Sequence, residues 1–194
     1  MTQAFQPKPD DPALSLIGKR SSITIKNIKH AAFASEETHC FEATIYIDNK
    51  RSLRVSNDGH GGPNQYYHTK DQTDSAFKDQ FNRAIIIGER YVQEHHTKSW
   101  DEYASSWSGN SELLDWLIND LMNEHFVLKE MRNVMKKKIV FFDKRDQQVY
   151  SFKQKPTQEA VAYYRKKHLL DGKKPWLFLN DLPEAESFYY WRKI

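Results

Sequence analysis

The sequence predicts an α+β fold, and three observations carry that reading. Apolar residues alternate with polar ones at Ile23 to Lys26 and again at Thr44 to Val55. They recur at spacings of three and four from Phe77 to Leu128, and strand-forming runs return after Lys138. Strands, then helices, then strands mixed with helices segregate the two element types as α+β proteins do. A chain of 194 residues can bury roughly 70% of its unfolded surface, so it folds without needing a metal or a disulfide.

Each element has a local cause. Residues 1–13 hold Pro7, Pro9, Pro12 and the pair Asp10-Asp11 with few apolar residues, and read as a flexible arm. Ile23 and Ile25 alternate with Thr24 and Lys26, a strand running to Lys29. Cys40 to Ile47 is β-branched and aromatic, Asp48-Asn49-Lys50 is a turn, and Arg51 to Ser56 returns with Leu53 and Val55 on one face. These strands form an antiparallel meander with Ile45 and Ile47 on its buried side. Asp74 to His96 is helical, carrying Phe77, Phe81, Ala84, Ile85, Tyr91 and Val92 on one stripe. Ser99-Trp100-Asp101-Glu102 matches a capping box and starts a short helix. Asn110 or Ser111 caps a longer helix through Leu114, Leu117, Ile118, Leu121 and Leu128, with a break expected near Asn123 and an end at the lysine run.

Ile139 to Phe142 and Gln148 to Phe152 flank the polar Asp143 to Gln147 and predict a second hairpin. Thr157 caps a helix with Ala160, Val161 and Tyr164, and Pro175 to Leu179 is a last strand. Asp181-Leu182-Pro183-Glu184 opens a terminal helix carrying Phe188, Tyr189 and Trp191. Residues 98–110, rich in Ser, Trp, Gly and Asn, suggest a connector between a front lobe at 14–97 and a back lobe at 98–194; one single domain is the alternative.

Composition narrows the function classes. Aromatics make up 13% of the chain and hydrophobic residues 39%, enough for a packed core. Cys40 is the single cysteine, which excludes an internal disulfide and any four-cysteine zinc site and fits a reducing compartment. The N-terminus carries no basic segment followed by an apolar run, and the apolar stretches at 84–87 and 139–142 are far too short to span a bilayer. A cytoplasmic protein with no membrane association is expected. The net charge of +3 hides an asymmetry: residues 1–119 hold 13 basic and 16 acidic side chains, and residues 120–194 hold 16 and 10. In that basic half Glu130, Asp143, Asp146, Glu159 and Asp171 interrupt the cations, and Lys136-Lys137-Lys138 falls where a helix end favours positive charge. Nucleic acid is therefore not the favoured partner. The aromatic-basic segments 163–168 and 189–193 suit core or surface helices first, a protein interface next and single-stranded nucleic acid least.

The strongest local anomaly is Asn57-Asp58-Gly59-His60-Gly61-Gly62, where glycine supplies positive φ and a close backbone approach. Such a turn can cradle an anion in a nest of amides or contact a partner, with His60 as donor or base; a tight multi-glycine turn that simply follows the hairpin strand is the other reading. The segment matches neither dinucleotide nor phosphate-loop patterns, and the next helix starts too late to complete a phosphate site. His-Gly-Gly also occurs in esterase oxyanion loops, but the Gly-x-Ser-x-Gly elbow is missing. Glu36 and Glu37 form a second polar cluster beside His39 and Cys40, which diverge if they lie on a strand. His39, His60, His68 and the neighbours His95-His96 have no metal-ligand spacing. The candidate ligand- or partner-binding residues are thus Asn57, Asp58, Gly59, His60, Gly61, Gly62, Glu36 and Glu37. No catalytic set, cofactor or metal ligands emerge.

Three segments carry a resemblance. Ile25 to Thr38 ends in Ala34-Ser35-Glu36-Glu37-Thr38, Phe41 to Asp48 reads FxAxxYxD, and Ser56 to Gly62 reads SNDGxGG. Together they resemble a family of small proteins of uncharacterised function found mainly in phages, prophages and other mobile elements, and Met131 to Phe142 is similar to theirs as well. The resemblance spans residues 22–155 and is most specific in its front third. At Asp48-Asn49-Lys50 this chain departs from the glycine expected in that turn. The resemblance implies a habitat and no catalytic residues. The favoured function is accordingly an accessory protein that binds a host protein stoichiometrically and counters host defence. The alternatives are a nucleotide- or phosphate-ligand protein or enzyme working at Gly59–Gly62, and a nucleic-acid binder.

Overall fold

The computed structural model describes residues 22–96, 111–170 and 176–192, so the expected N-terminal arm, the capping-box helix at Ser99 and the connector at 98–110 lie outside the described residues. The chain is α+β. Its described residues divide into two compact units, one ending at Asn123 and one beginning at Glu124.

The first unit holds an antiparallel sheet in the order β1-β2-β3-β4, formed by Ile23–His30, Phe41–Ile47, Lys50–Asn57 and Gln65–Tyr67. The meander is as the alternation predicts, and Ile45 and Ile47 are buried with Ile23, Leu53 and Val55. β2 and β3 are joined by a two-residue turn with φ +46° at Asp48 and +63° at Asn49. Positive φ at both positions is the type I′ geometry that matches strand twist. Asn49 thus serves where a glycine was expected, because its short polar side chain tolerates the left-handed region. Lys50 consequently belongs to β3 and pairs with Ile47. β1 carries a register shift between Lys26 and Lys29 with Asn27 at φ +56°. The strand β4 was not expected. Its three residues are too short to show a period, and it exists because β3 offers Arg54, Val55 and Ser56 as partners.

Helix α1 spans Asp74–His95, with Thr73 Oγ1 accepting from the Ala76 amide as its cap. Its buried stripe is Ala84, Ile85, Gly88, Tyr91 and Val92. Helix α2 runs from Ser111 to Met135 without the break expected at Asn123, because that residue is exposed and leaves the buried stripe uninterrupted. α1 and the first half of α2 approach closely: a Cβ added to Gly88 would sit 2.7 Å from Leu114 Cα.

The second unit is built on a three-stranded antiparallel sheet in the order β6-β5-β7, formed by Gln148–Phe152, Ile139–Asp143 and Trp176–Phe178. β5 is central and buried along its whole length. One face, with Ile139, Phe141 and Phe178, packs on Ala160 and Val161 of α3 (Gln158–Leu170). The other, with Val140 and Phe142, packs on Met131 and on Phe188 to Trp191 of α4 (Glu184–Trp191). The last helix starts later than the capping pattern at Asp181 suggests. Leu179–Asp181 forms a 3-10 turn, the Asp181 carboxylate pairs with Arg165, and Pro183 precedes the helix with no side-chain cap. Among the described residues, no helix is long and apolar enough to cross a membrane.

Candidate functional site

Residues 31–40 join β1 to β2, and residues 58–64 join β3 to β4; because the strands are neighbours, both loops emerge at one end of the sheet. The two polar clusters that the sequence marks separately are therefore a single structure. Its keystone is Asn57, which is buried. The Asn57 side chain accepts from Thr38 Oγ1 at 2.7 Å and from the Gly59 amide at 2.8 Å, and it donates to the Gly62 carbonyl at 2.9 Å and to Asn64 Oδ1 at 3.1 Å. One side chain thus closes the loop on itself and ties it to the opposite segment.

The second tie is a nest, formed by other residues than the sequence suggests. Three successive amides, those of Glu36, Glu37 and Thr38, donate to the Gly59 carbonyl oxygen at 3.1, 3.0 and 3.2 Å. Converging amides of this kind attract anions, and here the protein's own carbonyl occupies them. In the glycine loop the Gly59 amide is held by Asn57, the His60 amide by Asp58 Oδ1 and the Gly61 amide by Thr38 Oγ1. Gly59 and Gly61 take φ +92° and +84°. At Gly59 no side chain fits, since an added Cβ would lie 2.1 Å from the Ala34 carbonyl oxygen. Gly62 has open space about it and carries no such demand.

The candidate residues therefore separate into braces and presented groups. Asn57 and Gly59 are buried; Asp58, His60, Gly61, Gly62, Glu36 and Glu37 are exposed. His60 Nδ1 lies 3.2 Å from Glu36 Oε2, with both side chains more than half exposed, a contact that water leaves with little stabilising effect. Ser35 Oγ accepts from the Cys40 amide and donates to the Ala31 carbonyl, closing the base of the 31–40 segment. His39 and Cys40 do diverge: His39 Nε2 lies 3.1 Å from Asn123 Oδ1, while Cys40 faces the place where a Gly59 side chain would stand. A shallow groove of about 360 Å³ beside the loops is lined by His30, Cys40, Glu42 and Asp58 among others.

The loop is also anchored to α2. The Asn64 amide and the Tyr66 hydroxyl each donate to the buried Asp115 carboxylate. Burial raises the Asp115 carboxyl above the usual aspartate value against the lowering effect of these two donors. Burial, with Asp115 beside it, pushes the Tyr66 phenol well above its usual range. Sequence reading missed this clamp, because a single aspartate in an apolar helix stripe looks like a surface residue.

It also missed Phe33. The 3-10 turn Ala32–Ala34 holds this ring 94% exposed, directly before the segment that grips Gly59. The signal was present as a lone aromatic in Ala31-Ala32-Phe33-Ala34, outside any periodic pattern. Among the described residues, no group of three or more His, Cys, Asp or Glu side chains is placed to hold a metal ion. No family model, no curated protein and no solved structure matches the chain.

Proposed function

We propose that this chain is a phage or mobile-element accessory protein that acts by stoichiometric binding of a host protein, with inhibition of a host-defence factor as the role its habitat implies. The habitat is the expectation drawn from the sequence resemblance, and a host cytoplasmic location follows from it and from the single cysteine. The observation that carries the binding reading is Phe33, an almost fully exposed ring on a loop whose backbone is braced from both sides. A rigid aromatic costs little conformational entropy on binding, and aromatic anchors dominate the energy of protein interfaces. Glu36, Glu37 and Asp58 add exposed acidic side chains to the same pair of loops, which favour a partner surface of positive charge.

The phosphate-ligand reading is weaker on the same geometry. The nest amides are filled by Gly59, three loop amides are bonded internally, and the exposed carboxylates would repel a phosphate. The test begins with capture of the partner from host lysate and proceeds to calorimetry with both proteins pure. Phe33→Ala should weaken binding about 30-fold, the equivalent of roughly 2 kcal/mol for a central aromatic anchor. His60→Ala should weaken it less, and both variants should melt as the wild type does. Micromolar binding of any nucleotide that His60→Ala abolishes would overturn the proposal in favour of the ligand reading.

A further inference from the structure

The second unit carries a charged surface that the reading above does not use. Along the chain its lysines are interrupted by acids, and the only run is Lys136-Lys137-Lys138. A helix end explains that run by itself, since cations there offset the carbonyl end of the helix dipole. It does not explain what the fold adds. Antiparallel pairing sets Ile139 opposite Phe152, and the Ile139 amide donates to the Gln154 carbonyl at 3.0 Å. Lys138 and Lys153 therefore flank the same end of the hairpin. Lys155 follows Gln154, and Lys136 shares a groove with Pro156, the next residue along. Five lysines from two separated segments thus lie at one end of the hairpin, four of them exposed and Lys138 half-buried. Among the described residues none of the five has a carboxylate within ion-pair distance.

The fold also moves away the acids that stand between Lys138 and Lys153 in sequence. Asp143 ends β5 and Asp146 lies in the turn that follows, both at the far end of the hairpin, and the Asp143 carboxylate is taken by Arg145 and Trp176. Four residues of strand put that end roughly 13 Å away, beyond the screening length of about 8 Å at physiological salt. Glu184 is held by Arg132, and Glu159 is engaged by its own amide and by Thr157. We propose that Lys136, Lys137, Lys138, Lys153 and Lys155 form a binding site for the phosphate backbone of a nucleic acid. The charge count along the chain disfavours this partner; the strand register, which that count does not contain, supports it. An exposed ring of the same unit, Tyr163 beneath Lys167, suits base stacking better than insertion into a bilayer.

The test is fluorescence anisotropy on the full chain with labelled oligouridylate, oligothymidylate and a DNA duplex at 50 and 200 mM salt. Anionic phosphatidylserine vesicles form a separate arm. Binding in the micromolar range at 50 mM is expected for at least one nucleic acid, and the tightest arm identifies RNA, single-stranded DNA or duplex as the source. Five phosphate contacts on a single strand should make affinity fall roughly 100-fold between the two salt concentrations. Lys153→Ala with Lys155→Ala should weaken binding at least fivefold. Lys50→Ala with Lys70→Ala, which removes the same charge from the other unit, should leave it within twofold. All four positions are exposed, so melting temperatures should match the wild type. Equal weakening by the two double variants, no nucleic-acid binding at 50 mM, or binding to the vesicles alone would each overturn the proposal.

Discussion

Replacing Asn57 by alanine should collapse the loop that presents Phe33 and His60, and the structure sets the size of the effect. The side chain makes four hydrogen bonds, two accepted from Thr38 and the Gly59 amide and two donated to the Gly62 carbonyl and Asn64. A typical intramolecular bond contributes about 1 kcal/mol net, and a buried group left without its partner costs more. Gly62 is exposed, and its carbonyl can turn to water; the Gly59 amide and Asn64 are buried and cannot. The loss is therefore about 3 kcal/mol, which for a chain of this length lowers the melting temperature by roughly 6–12 °C. Thermal unfolding followed by circular dichroism measures it. Amide exchange adds a local readout, because Glu36, Glu37 and Thr38 donate to the carbonyl of Gly59, whose own amide Asn57 holds. Their exchange should accelerate in the variant more than exchange in β5 does. A melting temperature within 2 °C of the wild type, or unchanged exchange at these three amides, would refute Asn57 as the keystone.

Two further outcomes follow from packing and from charge. Gly88→Ala raises helix propensity by about 1 kcal/mol, yet the added Cβ would lie 2.7 and 2.8 Å from Leu114 backbone atoms, so the variant should lose stability in urea unfolding; a variant as stable as the wild type would contradict the close helix approach. Asp143 is held well below its usual 3.8 chiefly by its hydrogen bonds with Arg145. Its contribution is therefore complete above that value and is lost as pH falls and the unfolded state takes up the proton first. Asp143→Asn has no such titration, so urea midpoints measured at pH 7 and pH 3 should differ less in the variant than in the wild type, and an equal difference would exclude this linkage.

Much of the fold was legible because burial is one-sided in the first sheet. Ile23, Ile45, Ile47, Leu53 and Val55 are all buried, and a period of two is the trace that such a face leaves in a sequence. The failures have equally local causes. β4 is three residues long and takes its conformation from β3, so no pattern within Gln65–Tyr67 could announce it. Asn123 looks like a helix breaker by residue type, but on the exposed side of α2 it disturbs nothing. The eight candidate loop residues do come together, and the need for positive φ at Gly59 and Gly61 was readable from residue type alone. What occupies the amides was not readable. That Gly59 fills a nest built by Glu36, Glu37 and Thr38 depends on β1, β2 and β3 lying side by side, a tertiary fact.

That distinction governs how any functional mutation in these loops has to be interpreted. At Gly59 every substitution collides with the Ala34 carbonyl, and at Gly61 the φ of +84° strains any side chain. Loss of partner binding in such variants reports a deformed platform and identifies no contact. The informative positions are those whose side chains brace nothing: Phe33, whose ring is almost wholly in solvent, and Glu36 and His60, whose mutual contact is exposed. With the backbone amides committed inward, recognition at this end of the sheet falls to side chains, so variants at these three positions should separate binding from folding. A set in which Phe33→Ala and His60→Ala both lower the melting temperature as far as Asn57→Ala does would show that the loop has no such division. The braced-platform argument would then fail with it.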